Sequence, residues 1–150
     1  MITGSVARRY ARAMLELANE AGLAEKVESE LQELVDLMDG HDELKQTLLN
    51  PGVTRTQRRG VLDALLARAS FQDITSNFLR LLIDKGRIDH LHAIVREYRK
   101  LNDVEQGRVR ATVRSATAML PSDLERLKAL LEKVTGKTVI LDSEVDDSLI

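Results

Sequence analysis

Asn77-Phe78-Leu79-Arg80-Leu81-Leu82-Ile83-Asp84-Lys85-Gly86-Arg87-Ile88-Asp89-His90-Leu91-His92-Ala93-Ile94-Val95-Arg96-Glu97-Tyr98 is the stretch that decides the fold. Phe78, Leu81, Leu82 and Lys85 recur at helical spacing, and the apolar period resumes at Ile88, Leu91, Ile94, Val95 and Tyr98. Gly86 stands between the two runs, where a helix C-terminus favours a residue free to take a positive φ. So short a break turns the second helix back against the first. Nothing in the stretch has the pattern of a catalytic site. It predicts the centre of a helical bundle, and the remainder of the chain is placed around it.

On its N-terminal side the period predicts a first helix from Val6 to Ala21, ended by Gly22, and a second from Leu23 to Met38, ended by Gly40. The second sets Val27, Leu31, Leu34, Val35 and Met38 inward and Glu25, Glu28, Glu30 and Glu33 toward water. A short helix spans Asp42 to Leu49, and Asn50-Pro51-Gly52 is a turn signal. Thr54 with Gln57 reads as a capping box that opens a fourth helix carrying Val61, Leu62, Leu65 and Leu66. The fifth begins at Gln72 or Asp73, and the sixth runs from Ile88 to Val104.

Near Gly107 the period changes from helix to strand. Val109, Ala111, Val113 and Ser115 alternate with Arg108, Arg110, Thr112 and Arg114. Ser122 with Glu125 predicts a second capping box. The helix it opens carries Leu124, Leu127, Leu130, Leu131 and Val134 and is closed by Gly136. Thr138 to Leu141 reads as a short strand, and Glu144 to Ile150 as the start of another. The predicted fold class is mainly α: a six-helix N-terminal bundle over 1–105, then a small C-terminal α/β unit over 106–150. One helix and two or three strands are a thin basis for an independent domain.

Composition narrows the function. With 150 residues, 43 % hydrophobic and 31 % charged, the chain can bury a core. Its formal charge is -2, and neither segment has the positive excess that binding a phosphate backbone needs. Cysteine is absent, which removes disulfides, thiol catalysis and cysteine-ligated metal. No apolar run approaches the roughly 20 residues of a membrane span. Residues 1–15 carry Arg8, Arg9 and Arg12 and no acid, as a mitochondrial transit peptide would. The run passes without a break into Glu16, Asn19 and Glu20, which favours a first bundle helix.

No constellation points to chemistry. His90 and His92 fall on different helix faces and His41 is distant, so no metal site is expected. Gly-rich phosphate loops and a recognisable Ser, His and acid arrangement are missing, and no cofactor is expected. Arg55, Arg58 and Arg59, or Arg108, Arg110 and Arg114, could form basic patches. The four aromatics, Tyr10, Phe71, Phe78 and Tyr98, lie on or beside apolar faces and are not interleaved with them. Solvated faces are the simpler reading of these arginines. A nucleic-acid-binding adaptor is the alternative, and an acidic protein partner is a further one.

The first and fifth helices are unusual. In each the apolar arc covers about 200°, where a surface helix needs little more than 100°. A helix at the centre of a bundle needs a wide face, which is one explanation. The other is a shared apolar groove between the two, lined by Tyr10, Ala13, Phe78 and Leu81, that takes an amphipathic helix.

The chain resembles the delta subunit of F-type ATP synthases, whose mitochondrial relative is the oligomycin-sensitivity-conferral protein. The resemblance rests on Val6-Ala7-Arg8-Arg9-Tyr10-Ala11-Arg12-Ala13, Asn50-Pro51, Asn77-Phe78-Leu79-Arg80-Leu81-Leu82 and Gly86-Arg87. It continues through Ile94 with Tyr98, Val113-Arg114-Ser115-Ala116 and Gly136-Lys137. It implies a non-catalytic stator that ties the catalytic head of alpha and beta subunits to the b-subunit stalk during proton-driven ATP synthesis. It also implies a groove for the N-terminal helix of an alpha subunit. By position Val6, Tyr10, Ala13, Met14, Phe78, Leu81 and Leu82 match that groove. The b subunit would meet the C-terminal unit, with Arg108, Arg110 and Arg114 on the matching strand. The implied location is peripheral, without membrane insertion, on the cytoplasmic side of a bacterial inner membrane, with the chloroplast stroma as the alternative. In the family Leu149-Ile150 would be followed by a glycine pair, further strands and a last helix, so the second unit is expected to be truncated.

Overall fold

A computed structural model describes residues 2–149 and divides the chain into two compact units, Met1–Asn102 and Asp103–Ile150. The first holds α1 (Ile2–Glu20), α2 (Ala24–Gly40), α3 (Asp42–Leu49), α4 (Arg55–Arg68) and α5 (Asp73–Asp84). A 3₁₀ turn, Ile88–His90, then leads into α6 (Leu91–Gln106). The fold is mainly α, as the period predicts. The first helix starts at Ile2, four residues before the expected Val6, because Gly4 and Ser5 do not stop a helix that Val6 and Ala7 continue.

Gly86 ends α5 as expected. Its φ is +66°, its N–H donates to Ile83 O at 3.0 Å, and Arg87 N–H donates to Leu82 O at 2.7 Å. These two bonds satisfy carbonyls that the helix end leaves open and send the chain into the 3₁₀ turn. The sixth helix therefore begins as a tighter turn at Ile88 and becomes α-helical only at Leu91. The capping box at α4 forms in full. Thr54 Oγ1 accepts from Gln57 N–H and Gln57 Oε1 accepts from Thr54 N–H.

The core is one cluster. Ala7, Ala11, Leu15 and Ala18 of α1 meet Val27, Leu31, Leu34 and Met38 of α2, Leu79, Leu82 and Ile83 of α5, and Ile94 and Tyr98 of α6. Tyr98 is buried, and its hydroxyl donates to Ala24 O at 2.7 Å. Tyr98→Phe is expected to cost about 1 kcal/mol, because the ring still fills its space and only the hydrogen bond goes. Urea unfolding checks this as a lower midpoint with an unchanged slope. Among the exposed groups, Asp39 Oδ1 lies 2.8 Å from His92 Nε2. That hydrogen bond outweighs the opposing effect of burial and, with the charges of His92 and Lys45, holds the Asp39 carboxyl below the usual range.

Glu30 corrects an expectation. The helical period sets it toward water with Glu25, Glu28 and Glu33, yet it is 2 % exposed. Its carboxylate accepts from Gln72 N–H at 3.0 and 3.2 Å and from Thr75 Oγ1 at 2.7 Å. Gln72 is the N-cap residue of α5 and makes no side-chain cap of its own, so α2 supplies the acceptor across 42 residues.

The second unit contains β1 (Arg108–Ser115), α7 (Pro121–Thr135) and β2 (Thr138–Val145), then a 3₁₀ turn, Asp147–Leu149. β1 and β2 pair in parallel from Arg108↔Thr138 to Ser115↔Val145, with α7 as the crossover. Two expectations are corrected here. Ser122 does not cap α7: the helix starts at Pro121, with Leu120 as N-cap and no side-chain cap bond. Proline at the first helical position supplies the required φ and has no N–H to satisfy. Glu144 to Leu149 does not start a new strand. Eight ladder pairs carry β2 on to Val145, and the chain then turns, while Ile150 lies outside the described residues. Val139 is buried in this unit, whereas α7 buries none of its residues fully and leaves Leu130 and Val134 exposed. Among the described residues no helix is long and apolar enough to cross a membrane.

Candidate functional site

The wide arcs of α1 and α5 each divide into two faces. On α1, Ala7, Ala11, Met14, Leu15 and Ala18 are buried, while Val6 and Tyr10 are half-buried and Ala13 and Leu17 are exposed. On α5, Thr75, Leu79, Leu82 and Ile83 point inward, while Ile74 is half-buried and Leu81 is exposed. Leu17 and Leu81 are 53 % and 42 % exposed. An exposed leucine alone is ordinary, but these two line one depression with Ile74 and Phe78 and so form a contiguous apolar patch. The surplus apolar arc is a surface that the bundle's own helices do not cover.

That surface is concave. A depression of about 440 Å³ is lined by Met14 and Leu17 of α1 and by Ile74, Asn77, Phe78 and Leu81 of α5. A second, of about 220 Å³, is lined by Arg9, Tyr10 and Ala13. Tyr10 and Phe78 meet across the two helices edge to face, with ring centroids 6.5 Å apart and planes at 62°. This geometry is favourable for aromatic rings and fixes the floor between the depressions.

Of the residues expected to line a groove, Met14, Phe78 and Leu81 line the larger depression and Tyr10 and Ala13 the smaller. Leu82 does not. It has no exposed surface and belongs to the core, since one residue's step on a helix turns it about 100° away from Leu81. Val6 is half-buried and lines neither depression. Leu17, Ile74 and Asn77 were not singled out, although Leu17 and Ile74 sit within the same apolar arcs.

The arginine clusters are differently placed. Arg108 and Arg110, two residues apart on one strand face, share Asp103, with Arg108 Nε 3.0 Å from Oδ1 and Arg110 Nε 2.6 Å from Oδ2. Arg114 pairs with Glu144 at 3.1 Å. Arg59 pairs with Asp84 at 2.8 Å and Arg58 donates to Asn50 O. Arg59, Arg108, Arg110 and Arg114 thus meet carboxylates within the chain, which leaves little of their charge for a phosphate backbone.

The family model for the ATP synthase delta (OSCP) subunit matches residues 6–150. The chain is 41 % identical over its full length to ATP synthase subunit delta of Anaeromyxobacter sp. (strain Fw109-5) and covers 84 % of that protein. It is 37 % identical to the protein of the same name from Trichlorobacter lovleyi, covering 83 % of it, again over all of this chain. Among solved structures, a chain of the mitochondrial ATP synthase hexamer of Toxoplasma gondii superposes with a TM-score of 0.73 at 21 % identity. That match spans 93 % of this chain and 77 % of the other, and it speaks to the fold.

Proposed function

The chain belongs to the ATP synthase delta (OSCP) subunit family, and on that premise we propose that its six-helix unit holds the N-terminal helix of an alpha subunit in the groove between α1 and α5. It is a peripheral-stalk subunit of ATP synthase and not a catalytic one. The alpha and beta subunits of the head are its partners within the complex. The observation that carries the groove reading is the pair of open leucines, Leu17 of α1 and Leu81 of α5, lining one depression with Phe78, whose ring meets Tyr10 of the adjoining one. Such a trough suits apolar anchors at i, i+3, i+4 and i+7 of an amphipathic helix.

The division of labour follows the two halves of the chain. Residues 1–105 bind the head, and residues 106–150 face the b-subunit stalk through the β1 side that carries Arg108, Arg110 and Arg114. Attachment at two places lets each contact be modest while the joint resists rotor torque, because release of one leaves the other holding. A protein of this kind works at the periphery of the membrane complex, on the cytoplasmic side in a bacterium.

Calorimetric titration of the 150-residue chain with a peptide from the N-terminus of the cognate alpha subunit tests the groove. Saturable one-to-one binding is expected, with a negative heat-capacity change from buried apolar surface. No heat of binding at millimolar peptide would remove the groove reading and leave family membership untouched.

A further inference from the structure

Arg8, Arg9 and Arg12 form a basic cluster around a depression of about 230 Å³ that also includes Ser5. All three side chains are exposed, and none has an acidic partner at ion-pair distance among the described residues. This is unlike Arg59, Arg80, Arg108, Arg110 and Arg114, each of which meets a carboxylate within the chain. Arg8 and Arg12 are one turn apart, where like charges repel and weaken a helix. The cluster meets the apolar site through Arg9 alone, since Arg12 and Arg8 lie about 100° and 140° round the helix from Ala13. Arg9 borders both the basic depression and the one lined by Tyr10 and Ala13. On the wheel, Glu16 and Glu20 lie on the same flank as Arg9, within about 20° to either side. The flank of α1 beside the groove is therefore basic toward its N-terminal half and acidic toward its end.

We propose that this rim selects the occupant of the groove by charge: the helix that binds there carries an acidic side chain beside its apolar stripe, placed to meet Arg9. The inference rests on the groove reading above and adds to it the partner's chemistry and direction. Apolar anchors alone fit a trough in either direction. A rim that changes sign along its length favours one direction and repels the reverse, and it draws the partner in at longer range. Pairs at such a rim stay partly in water, so they act on encounter and register more than on total affinity.

The test uses the full chain and the same alpha-subunit peptide, titrated at about 50 and 300 mM salt. Wild type is expected to bind about threefold more weakly at the higher salt. Arg12→Glu, on the far side of the helix, is expected to bind as wild type does, and Arg9→Glu about threefold more weakly at low salt with the salt dependence lost. A peptide with its acidic residues changed to lysine is expected to bind Arg9→Glu better than wild type. Helical circular dichroism accompanies each titration, since all three arginines are exposed and the fold does not depend on them. Unchanged affinity and salt slope in Arg9→Glu would overturn the rim's role while sparing the groove. No binding by wild type at either salt would overturn both. Co-sedimentation with vesicles of phosphatidylcholine and phosphatidylglycerol, lost in Arg9→Glu while its peptide binding stays that of wild type, would assign the rim to a lipid surface and overturn the proposal.

Discussion

Ala13→Asp is expected to weaken binding of the alpha-subunit helix by about 100-fold, near 3 kcal/mol, while the bundle stays folded. Ala13 is exposed and lines the depression beside Tyr10, so a larger side chain there meets no bundle neighbour. Its small size lets a partner helix lie close over Tyr10. An aspartate at that place has to give up its water beneath the bound helix, and nothing apolar in the trough repays it. The cost to the free protein is small. Aspartate in place of alanine loses about 0.6 kcal/mol of helix propensity, and Arg9 one turn earlier offsets part of it. The variant should therefore melt within a few degrees of wild type. Calorimetry with the peptide gives the affinity, and circular dichroism gives the fold. A variant that binds as wild type does would place the occupant elsewhere, and one that loses its helices would make Ala13 a core residue. Ala13→Leu separates charge from bulk: it fills the trough without a charge and should lose less.

The bundle was legible because its signals are local. Period 3.6, the capping box at Thr54 and the positive-φ glycine at Gly86 each need only a few neighbouring residues, and each formed as read. The groove was legible in part, for a physical reason. An arc of about 200° says that a helix has apolar surface to spare, but not which edge neighbours cover. Met14 and Leu82 therefore looked like groove residues along with Leu81, although both are buried and only Met14 also reaches the depression. Leu17 and Ile74 belong to the same arcs, and the period alone does not mark them as groove lining. The start of α7 was misread because two valid signals compete there, Ser122 as a cap and Pro121 as a first residue, and the proline's fixed φ decided it. The second unit's thin core is what one crossover helix on two strands can supply.

Glu30 shows what no local signal could have given, and its removal is the largest stability loss expected from a single acidic residue here. Glu30→Ala should cost about 3 kcal/mol. The carboxylate is buried, and its three contacts all go to the start of α5: Gln72 N–H twice and the Thr75 hydroxyl. Charge-assisted bonds of this kind contribute more than neutral ones, and their loss leaves an N–H and a hydroxyl buried without an acceptor. The negative charge also sits at the positive end of the helix dipole. Glu30→Gln keeps the shape and one acceptor oxygen but not the charge, and its amide would bury a donor with no partner, so it should lose about half as much. Urea unfolding of the three proteins checks the order, and a loss below about 0.5 kcal/mol in Glu30→Ala would show that α5 starts without this acceptor. The consequence reaches the groove. Ile74, which lines it, is one residue from Thr75, so fraying the first turn of α5 loosens one wall of the trough. Helix binding should weaken in Glu30→Ala even though Glu30 lies outside the groove, and a given concentration of peptide should therefore raise the variant's stability by less than it raises that of wild type.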